Sequence, residues 1–272
     1  MNDVTTNETI IGEHMNPTVP HTIPALKAMK SYPEQLSYKG GLSLLERPKV
    51  SIVGTRRPSL YTRQYTHEIA SALAKRGTVT VSGAAMGVDA IAHLGAGAAN
   101  TIAVLPSGID VRYPAVNREL IRSIEEQGLT LSQFEEGFKA TNWSFVLRNE
   151  IVVALGEVLV VTEADEGSGS MRSVEYALEM GREIFVLVQQ IGQSMGTNRL
   201  LREGLAKPIF SVEAFASAFG VAVTTDVVQD DFYYFCQKHP TLDSVVTRFG
   251  DRVYEAELEG AIRIEGGIVS LV

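Results

Sequence analysis

Six short apolar runs, each joined to the next by a segment of helical period, constrain this chain more than any other feature. They are KVSIVG (49–54), TVTVSG (78–83), TIAVLP (101–106), the weaker LTLSQF (129–134), EVLVVTEA (157–164) and EIFVLV (183–188). Their apolar residues run continuously rather than alternating, which is the pattern of strands covered on both faces of a parallel sheet. Between the runs, Tyr61, Tyr65, Ile69 and Leu73 recur every four residues and predict one buried helical stripe. The alternation predicts an α/β domain built on a doubly wound, mostly parallel sheet over 49–220.

The flanks read differently. Residues 1–48 are broken by Pro17, Pro20, Pro24 and Pro33 and predict an N-terminal arm lying on the main domain. VAVTTDVVQD (221–230) reads as a linker, and 231–272 as a small domain of short helices followed by a hairpin. The hairpin is written in AIRIEGGIVSLV, two alternating runs around Gly266-Gly267. Helices closed by a terminal hairpin predict a winged-helix-like module. From residue 226 onward nine acids stand against four bases, a formal charge of −5, the wrong sign for holding phosphate. A protein-contact role is expected of it.

The whole chain carries a formal charge of −8, which argues against broad adhesion to nucleic acid but leaves room for a local basic groove. No run reaches the roughly 18 apolar residues of a membrane span. The first residues lack a basic start followed by an apolar block, and Cys236 is the sole cysteine, so a cytoplasmic protein without a disulfide is expected.

Ligands of parallel sheets gather beyond the carboxyl ends of the strands, and three strands here end in small, polar, glycine-containing turns. The first is Gly54-Thr55-Arg56-Arg57. The second runs from Ser82-Gly83 to Asp89, and the third is Gly167-Ser168-Gly169-Ser170. Glycine admits an anion close to the backbone, hydroxyls donate to it, and each following helix offers unpaired N–H groups. One such turn serves conformation as readily as binding; three, with two arginines in the first, predict an edge that holds several phosphates. Bases need a surface to stack on, and ATNWSFVLRNE (140–150) presents Phe145 before Arg148 and Asn149, with Trp143 read as a core ring. Asp89 reads as an acid complementing its helix dipole. Lys139, Arg199, Arg202 and Lys207 extend the basic path or simply face solvent. No histidine has a partner at metal-ligand spacing, and no cofactor or metal is expected.

SIVGTRRP, VSGAAMGVDAIAHLGA, TIAVLPSGIDVRYPAVNREL, FVLRNEIVVAL, SGSM, YALEMGREIFVL and GTNRLLREG, in this order over about 49–210, resemble the DNA-processing protein A family (DprA, also called Smf). That resemblance implies an extended Rossmann-like domain that binds single-stranded DNA without sequence preference. It also implies a homodimer that protects incoming DNA during natural transformation and loads the recombinase RecA. By the same resemblance the strand-binding arginine falls on Arg56, cradled by Gly54 and Thr55. The second turn falls on Ser82, Gly83, Ala85, Gly87 and Asp89, the base-contacting ring on Phe145 with Arg148 and Asn149, and the third turn on Ser168, Gly169 and Ser170. Glu150 stands where many members carry a base, Ser173-Val174 replaces Thr-Ala, and Val188-Gln189 replaces Pro-Gly.

The enzymatic alternative is a nucleotide-processing phosphoribohydrolase of the wider superfamily, with Glu175 near that group's glutamate. TEADEGSGSMRSVE lacks the Pro-Gly-Gly-x-Gly-Thr-x-x-Glu spacing of that group. Neither G-x-G-x-x-G nor G-x-x-x-x-G-K-[ST] follows the first strand, so nicotinamide and P-loop chemistry are not indicated. The expectation is a binder, not an enzyme.

Overall fold

Strands that are apolar throughout need cover on both faces, and the chain supplies it by alternation. The computed structural model describes residues 16–221, 231–236, 238–258 and 262–271. In it β1 (Ser37–Gly40) precedes β2 (Lys49–Val53) and α1 (Leu60–Ala74), then β3 (Val79–Ser82), α2 (Val88–Ala96) and β4 (Thr101–Val104). Next come α3 (Arg118–Gln127), β5 (Leu129–Ser132), α4 (Asn142–Leu155), β6 (Val158–Val161) and α5 (Gly169–Glu179). The sheet is completed by β7 (Glu183–Leu187), α6 (Met195–Arg202) and β8 (Lys207–Ile209), with α7 (Val212–Ser217) after it.

The eight strands form one sheet in the order β1-β5-β4-β3-β2-β6-β7-β8. Every pair is parallel except β1 with β5. The chain builds outward from β2 through β3, β4 and β5, then returns along α4 to place β6 on the other side of β2. That reversal opens a crevice beyond the carboxyl ends of β2 and β6, where ligands of doubly wound sheets sit.

Alternate residues of each strand serve opposite cores. Val158 and Val160 of β6 join Ile69 and Leu73 of α1, Ala92 of α2 and Phe215 of α7. Leu159 and Val161 join Ile151 and Leu155 of α4 and Val174 of α5. The predicted stripe on α1 holds at Ile69 and Leu73, both fully buried, but opens at Tyr61, which is exposed and donates its hydroxyl to the Val188 carbonyl at 3.0 Å.

The described part of 16–48 does more than lie over the domain. Its β1 adds an antiparallel edge in the register Ser37↔Ser132 and Tyr38↔Leu131, and Ile23, Leu26, Leu36, Leu44 and Leu45 enter the core.

By compactness the chain divides into Met1–Thr225 and Asp226–Val272. All but Val221 of the segment read as a linker lies outside the described residues. The second unit contains α8 (Asp231–Cys236), α9 (Leu242–Phe249), α10 (Arg252–Leu258) and the antiparallel pair β9 (Ile262–Glu265) and β10 (Ile268–Leu271). Ile268 pairs with Glu265, which leaves Gly266-Gly267 as a two-residue loop with φ of 59° and 78°. Positive φ at both positions is the requirement of a type I′ turn and the reason for two glycines. Phe232, Cys236, Val245, Val253, Ile262 and Val269 form this unit's own core. Among the described residues no helix is long and apolar enough to cross a membrane.

Candidate nucleic-acid interface

The turn after β2 is fixed from three sides. The Thr55 N–H donates to the Glu163 carbonyl at 2.8 Å, and the Thr55 carbonyl accepts the Val88 N–H at 3.1 Å. A Cβ on Gly54 would stand 2.6 Å from Val88 Cγ2, so glycine here serves the close approach of α2. Ser59 caps α1 by accepting the Thr62 N–H, while its own N–H and hydroxyl donate to Glu163 Oε2, both at 3.0 Å. A turn so held projects Arg56 and Arg57 outward. Both are exposed, and neither makes an ion pair among the described residues. The Arg56 guanidinium lies 5.1 Å from the centre of the Phe145 ring, within cation–π range.

The turn after β3 is held from below. Ser82 and Gly83, read from sequence as strand contacts, are buried: the Ser82 hydroxyl donates to the Ile52 carbonyl at 2.7 Å, and the Gly83 N–H to Asp89 Oδ2 at 3.2 Å. Arg148 donates through Nη1 to the carbonyls of Gly83 and Val104, the latter at 2.8 Å, and through Nε to Asn149 Oδ1 at 3.1 Å. Although on a helix whose neighbours reach the cavity, Arg148 is only 3% exposed. Burial pulls its pKa down to about 10, the Asp89 carboxylate opposes that, and Arg56 adds to it, so the group stays charged at neutral pH. Asp89 is Arg148's buried counter-charge, beyond any dipole role; burial raises its pKa against the pull of Arg148 and the N–H groups of Ala85 and Gly83.

His93 completes this layer. The Ala84 N–H must donate to Nε2, at 3.2 Å, so the proton of the neutral ring sits on Nδ1, which meets Thr101 Oγ1 at 2.5 Å; Thr101 in turn donates to the Thr80 carbonyl. Ala84 lies at φ 54°, a left-handed conformation costly for alanine, and this anchor together with Asn117 Nδ2 on the Ala84 carbonyl keeps it there. Burial first, then the Arg148 charge, lowers the His93 pKa to about 3. A histidine with a depressed folded pKa contributes stability that is present above its unfolded pKa and lost as pH falls. Between about pH 7 and pH 5 it is expected to cost the fold about 2 kcal/mol. Asp89, with its raised pKa, works the other way, so the comparison is with His93→Gln: its melting temperature should fall less than that of the parent over the same pH interval. Equal slopes would remove His93 from the account.

Residues of the three turns and of α4 and α5 line a single cavity of about 500 Å³. Gly54, Thr55, Arg56 and Arg57 come from the first turn, Phe145, Arg148 and Asn149 from α4, and Ser168, Gly169 and Ser170 from the start of α5. Of the sequence-derived set, Ser82 and Gly83 stay beneath this lining. Ser173 belongs to it and was missed, although it follows Gly169 and Ser170 by one helical turn. The hydroxyls of Ser168 and Ser173 are buried without a hydrogen-bond partner among the described residues, and α5 has no side-chain cap there. A helix start in that condition favours an anion.

Other expectations resolve away from the cavity. Glu150 is buried on another side of α4, its Oε1 accepting the Lys30 N–H at 3.0 Å, so it does not set a carboxylate among the cations. Trp143, expected in the core, is 53% exposed, with ring edges against Phe134 and Phe138 at 5.7 and 5.6 Å. Arg199 pairs with Glu166 and Glu203, Arg202 with Glu203, and Lys207 with Glu183. Glu175 pairs with Arg172 at 2.7 Å and lines an adjoining cavity beside α6 that shares Ser168 with the first.

The family model described as DNA recombination-mediator protein A matches residues 13–220. The chain is similar to Protein Smf of Synechocystis sp., 34% identical over 226 residues that make up 80% of this chain and 56% of that relative, so it spans little more than half of the relative's length. Among solved structures it is similar to DNA processing protein A from Helicobacter pylori, described for its single-stranded DNA binding mode, at 40% identity and a TM-score of 0.73 over 74% of this chain and 94% of that one. DNA processing protein A from Streptococcus pneumoniae superposes with a TM-score of 0.67 at 36% identity, over 72% of this chain and 70% of the other.

Proposed function

The chain belongs to the DNA recombination-mediator protein A family, and on that premise we propose that it binds single-stranded DNA, without sequence preference, in the crevice beyond β2 and β6. The observation that carries this reading is the exposed pair Arg56 and Arg57, which make no ion pair among the described residues, with Arg56 against the Phe145 ring. Arg112, Arg172 and Arg199 of the same unit are by contrast paired with acids, whereas these two stand at the cavity without an ion pair, available to a ligand's phosphates. Successive phosphates need successive seats. Ser168, Gly169 and Ser170 at the uncapped start of α5 are a second one, and Asn149 stands among the lining residues with them. The relative from Helicobacter pylori, described for its single-stranded DNA binding mode, supports the same reading.

We assign the crevice no chemistry. Asp89, the acid among its described lining residues, is engaged by the Gly83 N–H and Arg148, and Glu175 belongs to another cavity. In this reading the protein acts in the cytoplasm as a homodimer, shields incoming strands during natural transformation and hands them to the recombinase RecA. The second unit, taken as a winged-helix-like module, carries a formal charge of −5 from residue 226 onward and is assigned to protein contact.

The test is fluorescence anisotropy of labelled oligo-dT and of a duplex of equal length, at low and at high salt. Binding should favour the single strand by about tenfold or more and weaken as salt rises, because phosphate contacts release counterions. Equal affinity for duplex and strand, or no dependence on salt, would overturn the reading.

A further inference from the structure

The Phe145 ring is half-buried and has another aromatic beside it. The Arg56 guanidinium lies 5.1 Å and that of Arg148 5.9 Å from its centre, and the centre of the Tyr113 ring is 5.9 Å away at an interplanar angle of 61°. The two rings meet at an angle rather than stacked. The residue is 43% exposed, and no cation lies over its ring among the described residues. Its segment is not loose: Asn117 donates to the carbonyls of Ala84 and Ala85, and the Ser107 hydroxyl to the Val111 carbonyl at 2.7 Å. A large, half-exposed aromatic in a pinned segment, in contact with a ring of the arginine-lined cavity, has the chemistry of a base platform.

We infer that Tyr113 is a further strand-binding residue, a second stacking platform that takes the base next to the one received at Phe145. This rests on the single-strand reading above and deepens it. Two adjoining rings at an angle receive successive bases of a splayed strand, as the paired aromatics of RNA-binding sheets do. The cations beneath them hold the backbone, and the rings hold the bases. Stacking is indifferent to base identity, so a second platform lengthens the site without adding sequence preference.

The experiment compares Tyr113→Ala, Tyr113→Leu and Tyr113→Phe with the parent on two labelled strands, oligo-dT and an oligomer of equal length carrying abasic sites at consecutive central positions. Tyr113→Ala and Tyr113→Leu are expected to bind oligo-dT about tenfold more weakly and Tyr113→Phe like the parent, as befits a lost aromatic face. On the abasic strand all four proteins should bind alike. Parent-like binding of oligo-dT by Tyr113→Ala overturns the platform. So does an equal loss on both strands, which marks a backbone contact or a disturbed fold. Failure of the parent itself to bind oligo-dT would overturn the single-strand reading and the platform with it, while a loss confined to Arg56→Ala leaves that reading standing without Tyr113.

Discussion

Arg56→Ala is expected to weaken oligo-dT binding roughly thirtyfold or more, the equivalent of about 2 kcal/mol for one charge-assisted phosphate contact. The guanidinium offers a planar fork matched to phosphate oxygens, so Arg56→Lys should recover only part of the loss. The salt dependence should also flatten by about one released counterion. Arg57→Ala should cost only a few-fold, about 1 kcal/mol or less: among the described residues its side chain has no ring against it, as Arg56 has Phe145. Because Arg56 is exposed and unpaired among the described residues, Arg56→Ala should melt like the parent. Anisotropy titrations with melting curves on the same preparations check all of this. Parent-like affinity of Arg56→Ala would move the site elsewhere.

Arg148→Met should unfold the protein more readily instead. Arg148 lies within the fold, on the carbonyls of Gly83 and Val104, facing a buried carboxylate. Taking away one partner of such a pair strands the other charge in a poorly solvated place, at a cost of about 3–5 kcal/mol. For a chain of this size the melting temperature should fall by roughly 10 °C. Asp89→Asn added to Arg148→Met should restore part of it, since the stranded charge is then gone. A parent-like melting curve for Arg148→Met would refute this supporting role of Arg148. Arg56→Ala and Arg148→Met thus separate contact from support: the first lowers affinity at constant stability, the second lowers stability.

Much of this arrangement is legible in the sequence alone. Continuous apolar runs reveal parallel strands because both faces are covered, and Gly266-Gly267 reveals its turn because only glycine takes positive φ freely at two consecutive positions. The cavity-lining turns were legible because glycine and serine recur after three buried strands, although any one such turn serves conformation as readily as binding. Ser37-Tyr38-Lys39-Gly40 hid its strand, because an edge strand with partial burial has neither an apolar run nor strict alternation. The fate of charges on α4 was equally opaque. Arg148 and Glu150, two residues apart, point to different neighbours, one to carbonyls after β3 and β4 and the other to the Lys30 N–H. Those partners are far away in sequence, and helical periodicity says only that the two side chains diverge. Ser82 and Gly83 carry the composition of an anion loop yet lie beneath one, since β3 is flanked on both sides by β2 and β4.

Where an unpaired strand lies on this protein decides the matter most directly. Oligo-dT carrying 5-iododeoxyuridine can be irradiated with the protein and the crosslinked peptides mapped by mass spectrometry. Crosslinks should concentrate in the peptide spanning 140–149, be lost with excess unlabelled oligo-dT, and survive excess nucleoside monophosphate. Crosslinks confined to other faces of the protein, or release of free base from the monophosphate at catalytic turnover, would contradict a crevice that grips a polynucleotide and leaves it chemically intact.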